Sequence, residues 1–162
     1  KYDAVYISDT HKEFSYSVPF ATHMPSAVIG SSGLTPRAWH WSYLRHGAPQ
    51  VHGRFERMNQ RRMAEEDWAA WVAMRAIAEA LVRFKDNENF SFHNAFVSEN
   101  FKLDGSKGPV LNFRKWNRQL RQPVMLSTDN WVTSIAPLES FVHRENNLDT
   151  IGIDSKTSKC GK

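Results

Sequence analysis

One cysteine, Cys160, occurs in the 162 residues, so no disulfide can form within the chain. It sits in a polar, lysine-flanked tail where no pocket is expected, and it reads as inert rather than nucleophilic. Long apolar runs are missing too. No stretch approaches the roughly 20 residues of a membrane-spanning helix, which argues against membrane insertion, and the first residues lack the charged and apolar regions of a signal peptide. A strong charge of one sign is also absent. The formal net charge is +4, and the basic cluster Arg54, Arg57, Arg61 and Arg62 has Glu56, Glu65, Glu66 and Asp67 close by. That is the pattern of a solvated helix face, and no nucleic-acid partner is expected.

Catalytic constellations are equally scarce. Gly30-Ser31-Ser32-Gly33 lacks the lysine and the glycine spacing of a phosphate-binding loop or dinucleotide fingerprint. His40, His46 and His52 recur every six residues, which does not stack imidazoles on one helix face as i, i+4 zinc ligands would be. They read as surface or partly buried hydrogen-bonding groups. Ser31 and Ser32 have no obvious activating base beside them in sequence, so a turn role is expected. The chain therefore reads as a binding protein and not an enzyme, with no metal and no cofactor.

What is present is an ordinary globular composition, 41% hydrophobic and 23% charged, with six Trp and ten Phe. Such a length and composition fit one domain with a real core. Most of the aromatics belong to that core, though aromatics also line ligand pockets.

Asp3 to Asp9 contains a short apolar run that reads as a buried strand, beginning almost at Lys1, so a preceding portion of the protein is expected. Ser26 to Gly30 is a second strand, ending in the small residues Ser31, Ser32 and Gly33. Thr35-Pro36 has the form of a helix start, which predicts a helix from about Pro36 to Arg45, stopped by Gly47 and Pro49. A helical segment from about Val51 to Asn59 follows. The clearest helix spans about Glu65 to Phe84, where Ala70, Met74, Ile77, Leu81 and Phe84 recur at helical steps and form the expected core stripe. Its acidic start and basic end suit the helix dipole. Phe92 to Phe101 is expected to be a shorter helix. Val110 to Phe113, Pro123 to Ser127 and Trp131 to Ala136 read as strands, the last two joined in a hairpin across Thr128-Asp129-Asn130. From Asn146 onward the chain is polar and expected to be loose. This order predicts an α/β lobe, with a mainly parallel sheet flanked by helices and an antiparallel C-terminal addition.

Trp39-His40-Trp41 places two large rings beside the small-residue loop. At least one should face the core, and the other could stack on a flat or apolar ligand.

The opening Asp3-Ala4-Val5-Tyr6-Ile7-Ser8-Asp9-Thr10-His11, the exit loop Gly30-Ser31-Ser32-Gly33-Leu34 and the Trp68 to Phe84 helix resemble the C-terminal lobe of the type I periplasmic binding protein superfamily. Four segments carry a narrower likeness: Leu34 to Trp41, His46 to Gln50, Asp67 to Ala73, and Gln119 to Pro123. They resemble the ABC-transporter substrate-binding proteins associated with pyrroloquinoline-quinone-dependent alcohol oxidation systems, over about Tyr2 to Asp154. The resemblance implies one lobe over residues 1–154, a polar tail over 155–162, an N-terminal lobe outside this chain, a periplasmic location and an ABC permease as partner. It also implies a small-molecule ligand in an interlobe cleft at Asp9, Thr10, Ser31, Ser32 and Gly33, with Trp39 or Trp41. In the amino-acid binders the matching loops supply an aromatic and an acidic contact. Thr10 and Ser32 stand there instead, which shifts the expected ligand toward an alcohol, a derived acid or another uncharged small molecule. A periplasmic sensor or accessory protein docking on a dehydrogenase or receptor is the alternative, and a large exposed apolar patch would favour it.

Overall fold

A computed structural model describes residues 2–9, 11, 13–15, 17–31, 35–128, 130–150 and 152–158. In chain order the elements are β1 (Ala4–Ile7), β2 (Ala27–Gly30), β3 (Thr35–Arg37), α1 (Ala48–Asn59), α2 (Glu65–Phe84), α3 (Phe92–Val97), β4 (Leu103–Asp104), β5 (Val110–Phe113), β6 (Leu120–Arg121), β7 (Val124–Ser127) and β8 (Val132–Ala136). Single 3₁₀ turns lie at Val18–Phe20 and Asn147–Asp149.

The mainly parallel sheet expected from the sequence does not form. Among the described residues only β1 and β2 are parallel, as a two-stranded pair, while β3-β7-β8 and β4-β5-β6 are antiparallel sheets of three strands each. Connection length supplies much of the reason. Parallel neighbours need a long crossover, whereas the links between β5 and β6 and between β7 and β8 are too short for anything but antiparallel return.

A second cause lies at residues 36–45, where the expected helix is absent. Thr35–Arg37 is instead a strand, with Pro36 opposite Leu126 of β7. Proline lacks the N–H a central strand would need, yet β3 is an edge strand, where that loss is tolerated. Gly47 and Pro49 do not stop a helix but begin one. Gly47 adopts φ +82° as the N-cap of α1, and the proline follows in the first turn, where its missing N–H would be unpaired anyway.

Helix α2 has the expected bounds but a different buried face. Trp68, Val72, Ala76 and Ala80 are buried, whereas Ala70, Met74, Ile77 and Leu81 are exposed. The helix is apolar on two sides, so periodicity alone could not select the one facing inward. Trp68 selects it. Its ring stacks on Trp39 at 6.1 Å between centroids, and its indole N–H donates to Gly105 O at 3.0 Å. Ala64 cannot cap the helix with its own side chain. Its N–H is taken up by Asp67 Oδ2 at 2.8 Å, and Asp67 also receives both Arg61 guanidinium nitrogens. That fork, with the backbone bond, holds the Asp67 carboxyl at about 2.

The core joins this face of α2 to both antiparallel sheets through Trp39, Phe101, Leu103, Leu111 and Met125. A phenylalanine cluster extends it. Phe96 meets Phe101 edge-on at 5.4 Å and Phe113 at 5.1 Å. Ser91 caps α3 by accepting from Asn94 N–H at 3.1 Å. This helix ends at Val97 rather than running to Phe101, and Phe101 drops into the core instead.

Two further expectations change. Only Ile7 of β1 is buried, while Tyr6 and Ile29 are exposed, so this is not the buried strand the sequence suggested. The segment after Asn146 is not loose at its start. Leu148 is buried, and Asp149 accepts from Arg114 Nε at 2.5 Å and from Arg121 Nε at 2.9 Å.

Candidate functional site

The parallel pairing of β1 and β2 sets Ile7 opposite Gly30, so both strands deliver their following loops to one edge. The pair has no third strand among the described residues, so its edge lacks the reversal of strand order at which open α/β sheets place ligands. Here the two loops are clasped together. Ser31 N–H donates to Ile7 O at 2.7 Å, and Asp9 N–H donates to Ser31 Oγ at 2.8 Å. Gly30 makes the approach possible. Its φ is +97°, and a Cβ at this position would collide with the Ile7 carbonyl oxygen, so only glycine fits.

The Asp9 side chain turns toward its own loop. Its Oδ2 accepts the N–H groups of Phe14 at 2.7 Å and Ser15 at 2.9 Å. Partial burial works against the charge, but these backbone donors outweigh it and hold the carboxyl below its usual range. Asp9 is therefore an anion at neutral pH that orders the loop after β1. The structure thus brings together Asp9 and Ser31 of the sequence-derived set. Thr10, Ser32 and Gly33 lie outside the described residues.

The two tryptophans form a second cluster, with divided roles. Trp39 is buried against Trp68 and belongs to the core. Trp41 is half-buried, with the Arg62 guanidinium 3.5 Å from its ring centroid and His40 stacked obliquely at 5.6 Å. Both tryptophans line a cleft of about 300 Å³ with Arg37, Arg62, Glu65 and Glu66. Glu65, in the first turn of α2, ties the wall in place by accepting from Ala38 N–H at 2.6 Å and from Arg37 Nη1 at 3.4 Å. Such a cleft offers an aromatic face flanked by charges of both signs, suited to orienting a small molecule with a polar end. Asp9 and Ser31 are not among its lining residues.

The three histidines go to separate places. His40 Nδ1 lies 2.8 Å from Ser42 Oγ, His46 packs beside Tyr43 and Gly108, and His52 pairs with Glu56 at 3.5 Å. Among the described residues no group of three His, Cys, Asp or Glu is gathered as a metal site. Cys160 lies outside the described residues.

Sequence reasoning missed Lys107. Only 1% of it is exposed, and its ammonium sits 3.5 Å from the Trp68 ring centroid while donating to Gln122 Oε1 at 2.6 Å and Pro123 O at 3.4 Å. Burial pushes its pKa down to about 7, with Glu65 pulling weakly the other way. Nothing local marks it, because Asp104-Gly105 and Gly108-Pro109 on either side read only as turns. Arg37, Arg62 and Glu65 were likewise invisible as a group, since strand β3 and the α1–α2 connection meet only in three dimensions. No known family model, curated protein or solved structure matches this chain.

Proposed function

We propose that this protein is a periplasmic substrate-binding component of an ABC transporter, taking a small, uncharged or weakly acidic molecule such as an alcohol or its derived acid. The observation that carries the reading is the cleft of about 300 Å³ in which the Trp41 ring lies among Arg37, Arg62, Glu65 and Glu66. The segment resemblances from Leu34 to Pro123 support the same class. Calorimetric titration with aliphatic and aromatic alcohols and their carboxylic acids tests it. Saturable one-to-one binding of at least one compound is expected.

A second reading, a periplasmic sensor or accessory protein docking on a dehydrogenase or receptor, is favoured by one observation. Leu138, Phe141 and Val142 are all exposed within one short segment, and apolar groups gathered at a surface mark interaction sites. Co-purification with a permease supports the first reading, and co-purification with a dehydrogenase the second.

A further inference from the structure

The β5–β6 hairpin and the segment after β8 enclose a second cavity, of about 410 Å³, which shares no lining residue with the Trp41 cleft. Its size is that of a small-molecule site. The floor is ionic and held in place. Arg114, just past β5, and Arg121 of β6 converge on Asp149, whose side chain is 9% exposed. Two guanidiniums against one carboxylate leave positive charge over. Each also has N–H groups to spare. Arg114 uses Nε on Asp149, Nη1 on Gln119 Oε1 and Nη2 on Leu148 O, and Arg121 uses Nε and Nη2 on Asp149 and Nη1 on Asn112 Oδ1. A guanidinium carries five donors.

The rim adds cations that nothing in the protein neutralises. Arg144 and Lys156 line the cavity, and neither side chain has a hydrogen bond or ion pair among the described residues. Asp154 is paired with His143 at 3.0 Å, and Glu145 is the remaining acidic group in the lining. Without counting His143, the cations Arg114, Arg121, Arg144 and Lys156 exceed the carboxylates Glu145, Asp149 and Asp154 by one. Exposed apolar surface completes the wall through Trp116, Val142 and Ile153. We propose that this cavity binds an organic monoanion, a singly charged oxyanion carried on an aromatic ring. The headgroup meets Arg144, Lys156 and the free donors of the arginine pair, and the ring lies against Trp116. The single excess charge favours a monoanion over a phosphate dianion. An uncharged alcohol gains nothing from these cations, so alcohol binding reports on the Trp41 cleft alone and the two proposals fail separately.

Calorimetric titration of the whole chain with benzenesulfonate, a permanent monoanion, tests this. Saturable one-to-one binding is expected, and it should weaken with added sodium chloride because the rim is exposed. Arg144→Ala and Lys156→Ala should each weaken it about threefold to fivefold, and Trp116→Ala about tenfold. Glu145→Gln removes a like charge and should tighten binding about threefold, a gain that a disturbed fold would not produce. Lys102→Ala, which removes a cation outside the cavity, should leave binding unchanged, as should Trp41→Ala. Circular dichroism confirms that the variants stay folded. No saturable binding overturns the proposal, as does binding that Arg144→Ala and Lys156→Ala leave unchanged, or binding that Trp41→Ala abolishes.

Discussion

A lysine ammonium with 1% of its residue exposed should make the stability of this protein rise with pH across neutrality. In the unfolded chain Lys107 holds its proton up to about its ordinary value of 10.5, whereas in the folded protein burial lowers that value to about 7. Between the two, the unfolded state binds more protons, so unfolding becomes less favourable as pH increases. The contribution is complete above 10.5, is lost progressively as pH falls toward 7, and is flat below that. At about 1.36 kcal/mol per pH unit, the full window is worth about 5 kcal/mol. Tyr43 sets the upper limit of a clean experiment. Burial raises its hydroxyl, with Arg45 opposing, so its contribution runs the other way above about pH 10. From pH 7 to 9.5 the Lys107 gain is about 3 kcal/mol. Urea unfolding followed by tryptophan fluorescence measures it, and Lys107→Met should abolish the rise while leaving the protein at least as stable at pH 6. Gln122 is only partly buried, so water can replace the lost ammonium as its partner. A native stability that is level or falling from pH 7 to 9.5 would mean instead that Trp68, Gln122 and Pro123 O hold the ammonium charged.

Two other perturbations have defined outcomes. Gly30→Ala forces a Cβ against the Ile7 carbonyl at φ +97°, and should cost about 1–3 kcal/mol of local strain, read as faster amide exchange at Asp9 and Ser31. Asp149→Ala leaves Arg114 and Arg121 without their shared carboxylate, and should cost about 3–5 kcal/mol in urea unfolding. The same carboxylate gives an acid limb. Burial raises the Asp149 pKa, but Arg121 and Arg114 pull it lower still, so its stabilisation is present above the ordinary carboxylate range and lost as pH falls below it. Asp149→Ala should flatten that limb.

Local signals were legible wherever one interpretation of a residue dominated. Helix α2 begins at Glu65 and ends at Phe84, where the acidic first turn and the apolar period place it. Strand β5 coincides with Val110 to Phe113, and β7 and β8 form the hairpin that their alternation suggests. Where a residue serves two purposes the sequence misled. Pro36 suits a helix start or an edge strand, and the choice was made by β7, about ninety residues away. Gly47 and Pro49 suit the end of one helix or the start of the next. Helix α2 could bury either of two apolar rows, and the choice followed from Trp68 meeting Trp39 and Gly105. The mainly parallel sheet failed for the same kind of reason, since strand direction depends on partners that no local pattern names.

The candidate site divides in the same way. Asp9 and Ser31 were named through the resemblance as cleft residues, and what the structure adds is the hydrogen bond that joins them across 22 residues. The pairing of Trp41 with Arg62 and Glu65 was not legible, because it joins the segment after β3 to the start of α2 across a tertiary contact. Lys107 was hidden altogether, since a lysine between two turns carries no sign that a tryptophan ring lies beneath it.

The claim that this is a small-molecule binder is tested most directly by calorimetric titration of the native protein and of Trp41→Ala against the same panel of alcohols and derived acids. Saturable one-to-one binding of at least one compound by the native protein is expected, weakened about tenfold or more without the Trp41 ring, roughly the 1.4 kcal/mol of one good aromatic contact. No heat of binding from any member of the panel, or binding that Trp41→Ala leaves unchanged, would contradict it.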